Sequence, residues 1–212
     1  MAEIKNIIFD LGGVILNLNY QLTSKAFENL GVNNFDKYYS QREQITLFNS
    51  LEKGLISTKY FIQSAQQLFA QNLAENDLIN AWNSMLLDLP EHRLKLLQEL
   101  KKNLNLFLLS NTNEIHITFF ENEMKKKSQL ETFYDSFKKI YYSSRIGLRK
   151  PDLECFKYVL KENNLIAEET LFIDDSIQHI IAANKLGLKA YHLQKNEEIS
   201  SIFPDIIQSE LH

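Results

Sequence analysis

Several protein classes are excluded by what the sequence lacks. Cys155 is the one cysteine in 212 residues. A single thiol cannot close an internal disulfide or build a multi-cysteine zinc site. It lies in the apolar helical stretch Cys155-Phe156-Lys157-Tyr158-Val159-Leu160 and reads as a buried structural residue rather than a nucleophile. Six glycines and three prolines exclude collagen-like and low-complexity chains. No run of apolar residues is long enough for a transmembrane helix, so no membrane partner is expected. Met1 to Leu18 carries Glu3 and Asp10 within its apolar stretch and lacks the pattern of a secretory signal, so the default expectation is a cytoplasmic protein. Lys plus Arg number 23 against 27 Asp plus Glu, a formal charge of −4. That balance supplies no overall field to attract nucleic acid. The short basic runs Lys125-Lys126-Lys127 and Lys138-Lys139 read as solvated surface.

What is present suits an ordinary globular chain. Hydrophobic residues make up 44% and charged residues 24%, enough apolar surface for a core. Five short apolar runs read as strands: Ile4–Asp10, Leu104–Ser110, Lys138–Tyr142, Thr170–Asp174 and Lys189–Leu193. Helical patterns occupy most of the later intervals. Pro151 is suited to the first turn of a helix that carries Phe156, Val159 and Leu160 at helical spacing. Ser176–Leu186 reads as another helix, with Gly187 as its C-terminal cap. Alternating strand and helix predicts an α/β fold with a parallel sheet covered on both faces.

The interval from Leu11 to about Leu89 breaks this alternation. It is far too long for a simple connection in a compact domain. Phe61, Ala65, Leu68 and Phe69 form one helical stripe, and Leu78, Ile79, Trp82, Met85 and Leu86 form a second. The expected architecture is a Rossmann-like core (residues 1–16 and 90–212) with a helical cap (17–89) inserted after the first strand. Pro90 marks the exit, and Glu91 to Lys102 returns to the core as a helix.

In parallel α/β sheets, ligands bind beyond the carboxyl ends of the strands. The first strand ends at Asp10, followed by Leu11-Gly12-Gly13. The second ends at Ser110-Asn111-Thr112-Asn113. The third leads into Gly147-Leu148-Arg149-Lys150-Pro151, and the fourth ends at Asp174-Asp175-Ser176. Any one of these is an ordinary turn or cap; the ordered set at successive strand ends points to a phosphate and a metal ion. Asp10, Asp174 and Asp175 bring three negative charges against one positive charge on Lys150. Two carboxylates about 4 Å apart repel by about 4 kcal/mol at an effective dielectric near 20. A divalent cation would relieve that repulsion, and Mg²⁺ is the usual one beside phosphate substrates.

With these motifs the chain resembles the haloacid dehalogenase superfamily of phosphohydrolases, over a span from Asp10 to Asp175. Within it, Phe-Asp-Leu-Gly-Gly-Val, Leu-Ser-Asn-Thr-Asn, Arg-Lys-Pro and Phe-Ile-Asp-Asp are most similar to the bacterial α-D-glucose-1-phosphate phosphatases. The resemblance implies that Asp10 is a nucleophile forming an aspartyl-phosphate. Ser110 and Asn111 would hold phosphate oxygens through a hydroxyl and a backbone N–H, and Lys150 would offset charge on the nucleophile and the phosphoryl group. It also implies a Mg²⁺ site made by Asp10, Asp175, the Gly12 carbonyl and, through water or by orienting the ligands, Asp174.

One position departs from the family pattern. Phosphatases of this family carry a second aspartate, the general acid and base, where this chain has Gly12. Positioned proton transfer typically contributes about 10²–10⁴-fold. An anomeric sugar phosphate needs less protonation of its leaving oxygen. His116, six residues after Ser110, is the nearest candidate for a replacement acid, although a histidine there is more often a structural hydrogen-bonder. His179 stands where the family often has Asp or Asn, and an indirect role beside the metal ligands is expected. Asn17, Asn19 and Arg42 are polar residues that a cap could turn toward the site. The expected activity is a Mg²⁺-dependent phosphomonoester hydrolase for a small-molecule phosphate ester, most suitably a sugar phosphate. The rivals are a non-catalytic phosphate-binding or interaction protein, kept open by Gly12, and a phosphomutase, which usually needs the acid that Gly12 lacks. A generic α/β binding domain whose strand-end acids are only caps is another. A 2-haloacid dehalogenase fits less well. Those enzymes need no metal, typically carry serines where Asp174 and Asp175 stand, and have an aromatic residue in place of Gly12.

Overall fold

The structure is a computed structural model that describes residues 3–39, 45–69 and 73–203. All five expected strands form, four of them shortened and β4 with the expected bounds: β1 (Asn6–Phe9), β2 (Asn105–Ser110), β3 (Lys139–Tyr142), β4 (Thr170–Asp174) and β5 (Lys189–His192). They make one sheet in the order β3-β2-β1-β4-β5. Every neighbouring pair is parallel. The strand order reverses beside β1, which places the crevice of such a sheet at the carboxyl ends of β1 and β4.

Side-chain alternation explains why short runs suffice. Ile7 and Phe9 of β1, Leu106 and Leu108 of β2 and Ile173 of β4 point to one face. Ile8, Phe107, Leu109 and Phe172 point to the other. Both faces are covered, so both sets are apolar and the strands read as continuous hydrophobic runs. The first face is packed by α5 (Glu91–Leu100), α6 (Glu114–Lys126) and α7 (Leu130–Asp135), and the second by α9 (Leu153–Glu162) and α10 (Ile177–Lys185). The single-turn α8 (Ser143–Ile146) follows β3. Cys155 is fully buried in the second core, and burial pushes its thiol up to about 12, so it is inert as the sequence implied.

Between β1 and α5 lie α1 (Tyr20–Asn29), α2 (Thr46–Glu52), α3 (Thr58–Phe69) and α4 (Glu75–Asn83). They form a helical insertion with its own core, in which Phe27, Phe35, Phe48, Phe61 and Trp82 are completely or almost completely buried. The rings of Phe27 and Phe35 stack at 4.1 Å. Phe61, Ala65 and Phe69 of the first expected stripe face this core, whereas Leu68 is 38% exposed on the outside. Two linkers tie the insertion to the sheet, and they pair with each other. Asn17 N–H donates to the Asp88 carbonyl at 2.9 Å, Leu87 N–H to Asn17 at 3.0 Å and Asn19 N–H to Met85 at 2.9 Å.

One local expectation is corrected. Pro151 does not open a helix; α9 begins at Leu153 with Asp152 as its N-cap. Pro151 lies in the turn just before, joined to Lys150 by a cis peptide bond.

Candidate active site

The four strand-end motifs converge. Asp10 follows β1 directly, and its N–H extends the ladder to the Ile173 carbonyl at 2.9 Å. Asp174 is the last residue of β4, and Asp175 the next. One carboxylate oxygen from each of Asp10, Asp174 and Asp175 can be chosen so that all lie within 4.8 Å of one another. The Lys150 side chain, completely buried, reaches between two of them. Its Nζ lies 2.8 Å from Asp10 Oδ1 and 2.6 Å from Asp174 Oδ2.

Burial alone would pull the Lys150 ammonium toward neutrality, but the negative charges of Asp10 and Asp174 outweigh it and hold the group above the usual lysine range. Asp174 is lowered: burial opposes its charge, yet Lys150 and His179 overcome that. Its oxygens also accept from Ser176 N–H at 2.8 Å and from the His179 ring Nδ1 at 2.9 and 3.0 Å. Because Asp174 is a carboxylate acceptor, the proton of this pair belongs on Nδ1. His179 thus orients Asp174, the indirect role expected of it. Burial raises Asp10, with Lys150 pulling the other way. Asp175 is pushed up to about 7, first by burial and then by Asp10 and Asp174. The donor set is all oxygen and too negative for its one lysine, which is the chemistry a hard divalent cation fits. Gly13 belongs to the same arrangement. Its φ is +77°, and a Cβ there would run into the Asp175 carboxylate, so only glycine allows this approach.

These groups border a cleft whose own cavity volume is about 70 Å³ and which opens to solvent. Asp10, Gly12, Ser110, Asn111 and Asp175 line it. The Asn111 side chain has a task the sequence did not reveal. Its Nδ2 donates to the Lys150 carbonyl at 2.8 Å and its Oδ1 accepts from Lys150 N–H at 2.9 Å. This pair of bonds pins the backbone of the lysine motif to the end of β2, leaving the Ser110 hydroxyl and the backbone to meet a ligand.

His116 also borders the cleft. Its ring stacks on Trp82 at 4.7 Å, and Nε2 lies 3.2 Å from the Trp82 carbonyl. A carbonyl only accepts, so Nε2 donates and the ring is a neutral bridge from α6 to α4. Burial holds its pKa down at about 4, the carbonyl bond only partly opposing. Of the polar residues singled out near the insertion, Asn17 bonds Asp88 at 3.0 Å, and the Asn19 side chain caps α1 by accepting from Gln21 N–H at 3.1 Å. Neither lines the cleft with Asp10; Arg42 lies outside the described residues.

The insertion contributes other groups to the cleft: Tyr20, Tyr39 and Glu52, joined by Arg149 of the core. Sequence reasoning did not find Tyr20, Tyr39 or Glu52, and named Arg149 only as part of the lysine motif. One signal was available. Glu52 closes α2, and a carboxylate at a helix C-terminus opposes the helix dipole, a local conflict that often marks a functional position.

The haloacid dehalogenase-like hydrolase family matches residues 7–192 of this chain. The chain belongs to that family. A D-ribitol-5-phosphate phosphatase of Bacteroides thetaiotaomicron is 30% identical over 188 residues, covering 89% of this chain and 91% of its own. Among solved structures of haloacid dehalogenase-family proteins, an enzyme from Bacteroides thetaiotaomicron is an aspartate-to-alanine variant in complex with magnesium and inorganic phosphate. It has a TM-score of 0.87 at 32% identity, over 94% of this chain and 98% of that one. A predicted hydrolase of the family from Porphyromonas gingivalis has a TM-score of 0.84 at 28% identity, over the full length of both. The family expectation therefore holds, while the finer likeness to α-D-glucose-1-phosphate phosphatases is not supported by these relatives. No helix among the described residues is long and apolar enough to cross a membrane.

Proposed function

We propose that this chain is a Mg²⁺-dependent phosphomonoester hydrolase acting on a small sugar or sugar-alcohol phosphate through an aspartyl-phosphate on Asp10. The observation that carries this reading is the buried Lys150 ammonium held between Asp10 and Asp174, with Asp10 itself lining the cleft. A buried lysine bridging two carboxylates is costly as mere structure. At a reacting centre it offsets the charge of a nucleophile and a transferring phosphoryl group. The D-ribitol-5-phosphate phosphatase and the magnesium and phosphate complex among the relatives support the same reading.

Each residue then has a role. A carboxylate oxygen of Asp10 attacks phosphorus as the ester oxygen leaves with its bonding pair, giving an acyl phosphate. Water then cleaves the acyl phosphate, returning Asp10 and inorganic phosphate. Ser110 and the Asn111 backbone N–H hold phosphate oxygens. Lys150 stabilises charge throughout, while His179 and Ser176 N–H keep Asp174 ionised and oriented. Asp10, Asp175 and the Gly12 carbonyl, with Asp174 beside them, would hold Mg²⁺, which when bound neutralises the clustered carboxylates and the incoming phosphate. Residues 17–89 act as the cap, excluding water and contacting the leaving group. With no side chain at position 12, a water molecule held within the cleft gives the leaving oxygen its proton.

The test is phosphate release from a panel of small esters, including D-ribitol 5-phosphate and α-glucose 1-phosphate, with and without Mg²⁺ and with Asp10→Asn as control. Metal-dependent turnover that vanishes in the variant is expected. Gly12 favours one other reading, a phosphate-binding protein without turnover; folded wild type no faster than Asp10→Asn on the whole panel would establish that reading instead.

A further inference from the structure

Among the described residues, the insertion brings three polar side chains to the cleft: Tyr20, Tyr39 and Glu52. Two of them are committed. The Tyr39 hydroxyl donates to Glu52 Oε1 at 3.3 Å, and Glu52 Oε2 lies 2.9 Å from the Arg149 guanidinium. On the core side, His116 gives its Nε2 proton to the Trp82 carbonyl, and both ends of the Asn111 amide are bonded to the Lys150 backbone. Tyr20 is different: no described residue shares a hydrogen bond with its hydroxyl.

The chain holds Tyr20 in place without using that hydroxyl. It is the first residue of α1, directly after the Asn19 cap, and Asn19 N–H is tied to the Met85 carbonyl at 2.9 Å. Its ring lies 6.3 Å from the Tyr39 ring, centre to centre. Tyr20 lines the cleft with Asp10, Gly12 and Asp175, and it also lines a neighbouring cavity of about 830 Å³. Leu18, Tyr20 and Asp175 are common to both spaces and form the boundary between them. Burial raises the Tyr20 hydroxyl well above the usual tyrosine range, and Asp175, Asp10, Glu52 and Asp174 raise it further. The phenol keeps its proton beside the reacting carboxylates and serves as a hydrogen-bond donor.

Gly12 has no side chain to protonate the leaving oxygen, so water does so, and water is a weak acid unless the hydroxide it leaves behind is stabilised. A fixed donor aimed at a developing oxyanion supplies that stabilisation. We propose that the Tyr20 hydroxyl donates a hydrogen bond to the water that protonates the leaving oxygen. This rests on the phosphatase reading above. The ester oxygen leaves phosphorus with its bonding pair and takes a proton from this water. The resulting hydroxide, held by Tyr20, then attacks the phosphorus of the acyl phosphate, and the bond to Asp10 breaks, returning the carboxylate and inorganic phosphate. Tyr20 is neutral throughout.

The experiment measures kcat/KM of the full chain with Mg²⁺ on esters whose leaving groups fall in basicity: D-ribitol 5-phosphate and glycerol 1-phosphate, then phenyl phosphate, then p-nitrophenyl phosphate. Wild type is compared with Tyr20→Phe, which removes only the hydroxyl, and circular dichroism follows folding. This parameter covers the departure of the leaving group and excludes the later attack by hydroxide. On the faster aliphatic ester the variant should lose about 10²-fold, on phenyl phosphate less, and on p-nitrophenyl phosphate no more than about threefold, because nitrophenolate leaves without a proton. A purely structural role would lower all the esters by one factor. If Tyr20→Phe does not fold, Tyr20→Leu is read in the same way; if neither folds, the residue is structural and the role falls. Equal losses on every ester, an aliphatic rate unchanged in the variant, or a wild type that hydrolyses only the aryl esters overturns the role of Tyr20 alone. A folded wild type that hydrolyses none of the esters, p-nitrophenyl phosphate included, overturns the phosphatase reading and this inference with it.

Discussion

Leu18 fills the space in which a side chain on Gly12 would stand. A Cβ built on Gly12 falls well inside contact distance of Leu18 Cδ1. The missing aspartate and the leucine six residues later are therefore linked. Gly12→Asp alone is expected to displace Leu18 and give little gain. With Leu18→Ala added, kcat on primary alkyl phosphates should rise by about 10²-fold, and on anomeric phosphates by less, since these need less help in protonating the leaving oxygen. Steady-state kinetics of the single and double variants on both ester types decide it. Equal rates in the two variants would remove Leu18 as the obstacle.

Lys150→Met leaves the buried Asp10 and Asp174 carboxylates facing each other without their shared cation. Breaking a buried ion pair from one side costs about 3–5 kcal/mol. Urea denaturation without Mg²⁺ should show a loss of that order. Phosphate release should fall by about 10³-fold even where the variant remains folded.

Mg²⁺ should stabilise the folded chain because the carboxylate cluster exists only there. At about 100 Kd of free metal the gain is about 2.7 kcal/mol, or about 5–10 °C in Tm for a chain of this size. Asp175→Asn relieves the same repulsion by subtraction. It should be more stable than wild type without metal and gain little when Mg²⁺ is added. Differential scanning calorimetry with and without Mg²⁺ gives both comparisons, and an equal shift in the two proteins would count against Asp175 as a ligand.

His116 gives stability a defined pH dependence. Its folded pKa of about 4 lies below the ordinary histidine value of about 6.5, so the unfolded chain binds the proton more readily. Its contribution is intact above pH 6.5, falls as pH drops from there to about 4, and then stays flat. The loss across that window is about 3 kcal/mol. In urea denaturation at pH 7.5 and 4.5, His116→Gln should lose less stability on acidification than wild type. Parallel losses would show that the imidazole is not buried and neutral as the structure has it.

The fold was legible because its signals are local. Each strand is a short apolar run, and side chains on both faces of the sheet are covered, so Ile7-Ile8-Phe9 or Leu106-Phe107-Leu108-Leu109 stand out without alternation. The cluster of strand-end groups was legible for the same reason: Asp10, Ser110 and Asp174 each sit at or just beyond the end of a strand whose position the pattern already gives, and Lys150 lies in the turn that the third strand leads into. The insertion side of the cleft was not. Glu52 acquires its meaning from Arg149, almost a hundred residues away, and Tyr39 from Glu52. No periodicity records a contact between an insertion and a loop of the core. Asn111 is an intermediate case: its position was read correctly, but the two bonds from its amide to Lys150 depend on how β2 and the lysine turn meet in space.

The paired linkers have a mechanical consequence. Asn17, Asn19, Leu87 and their partners form a narrow ribbon whose bonds cross from one strand to the other. Sliding one strand along the other would break every bond, whereas flexing the ribbon as a unit breaks none. The insertion is thus attached as a door is, with one easy direction of swing. Tyr20, Tyr39 and Glu52 all belong to the insertion and would travel with the door. Asp10, Lys150, Asp174 and Asp175 all lie outside the insertion, so a swing of the door would leave that cluster assembled.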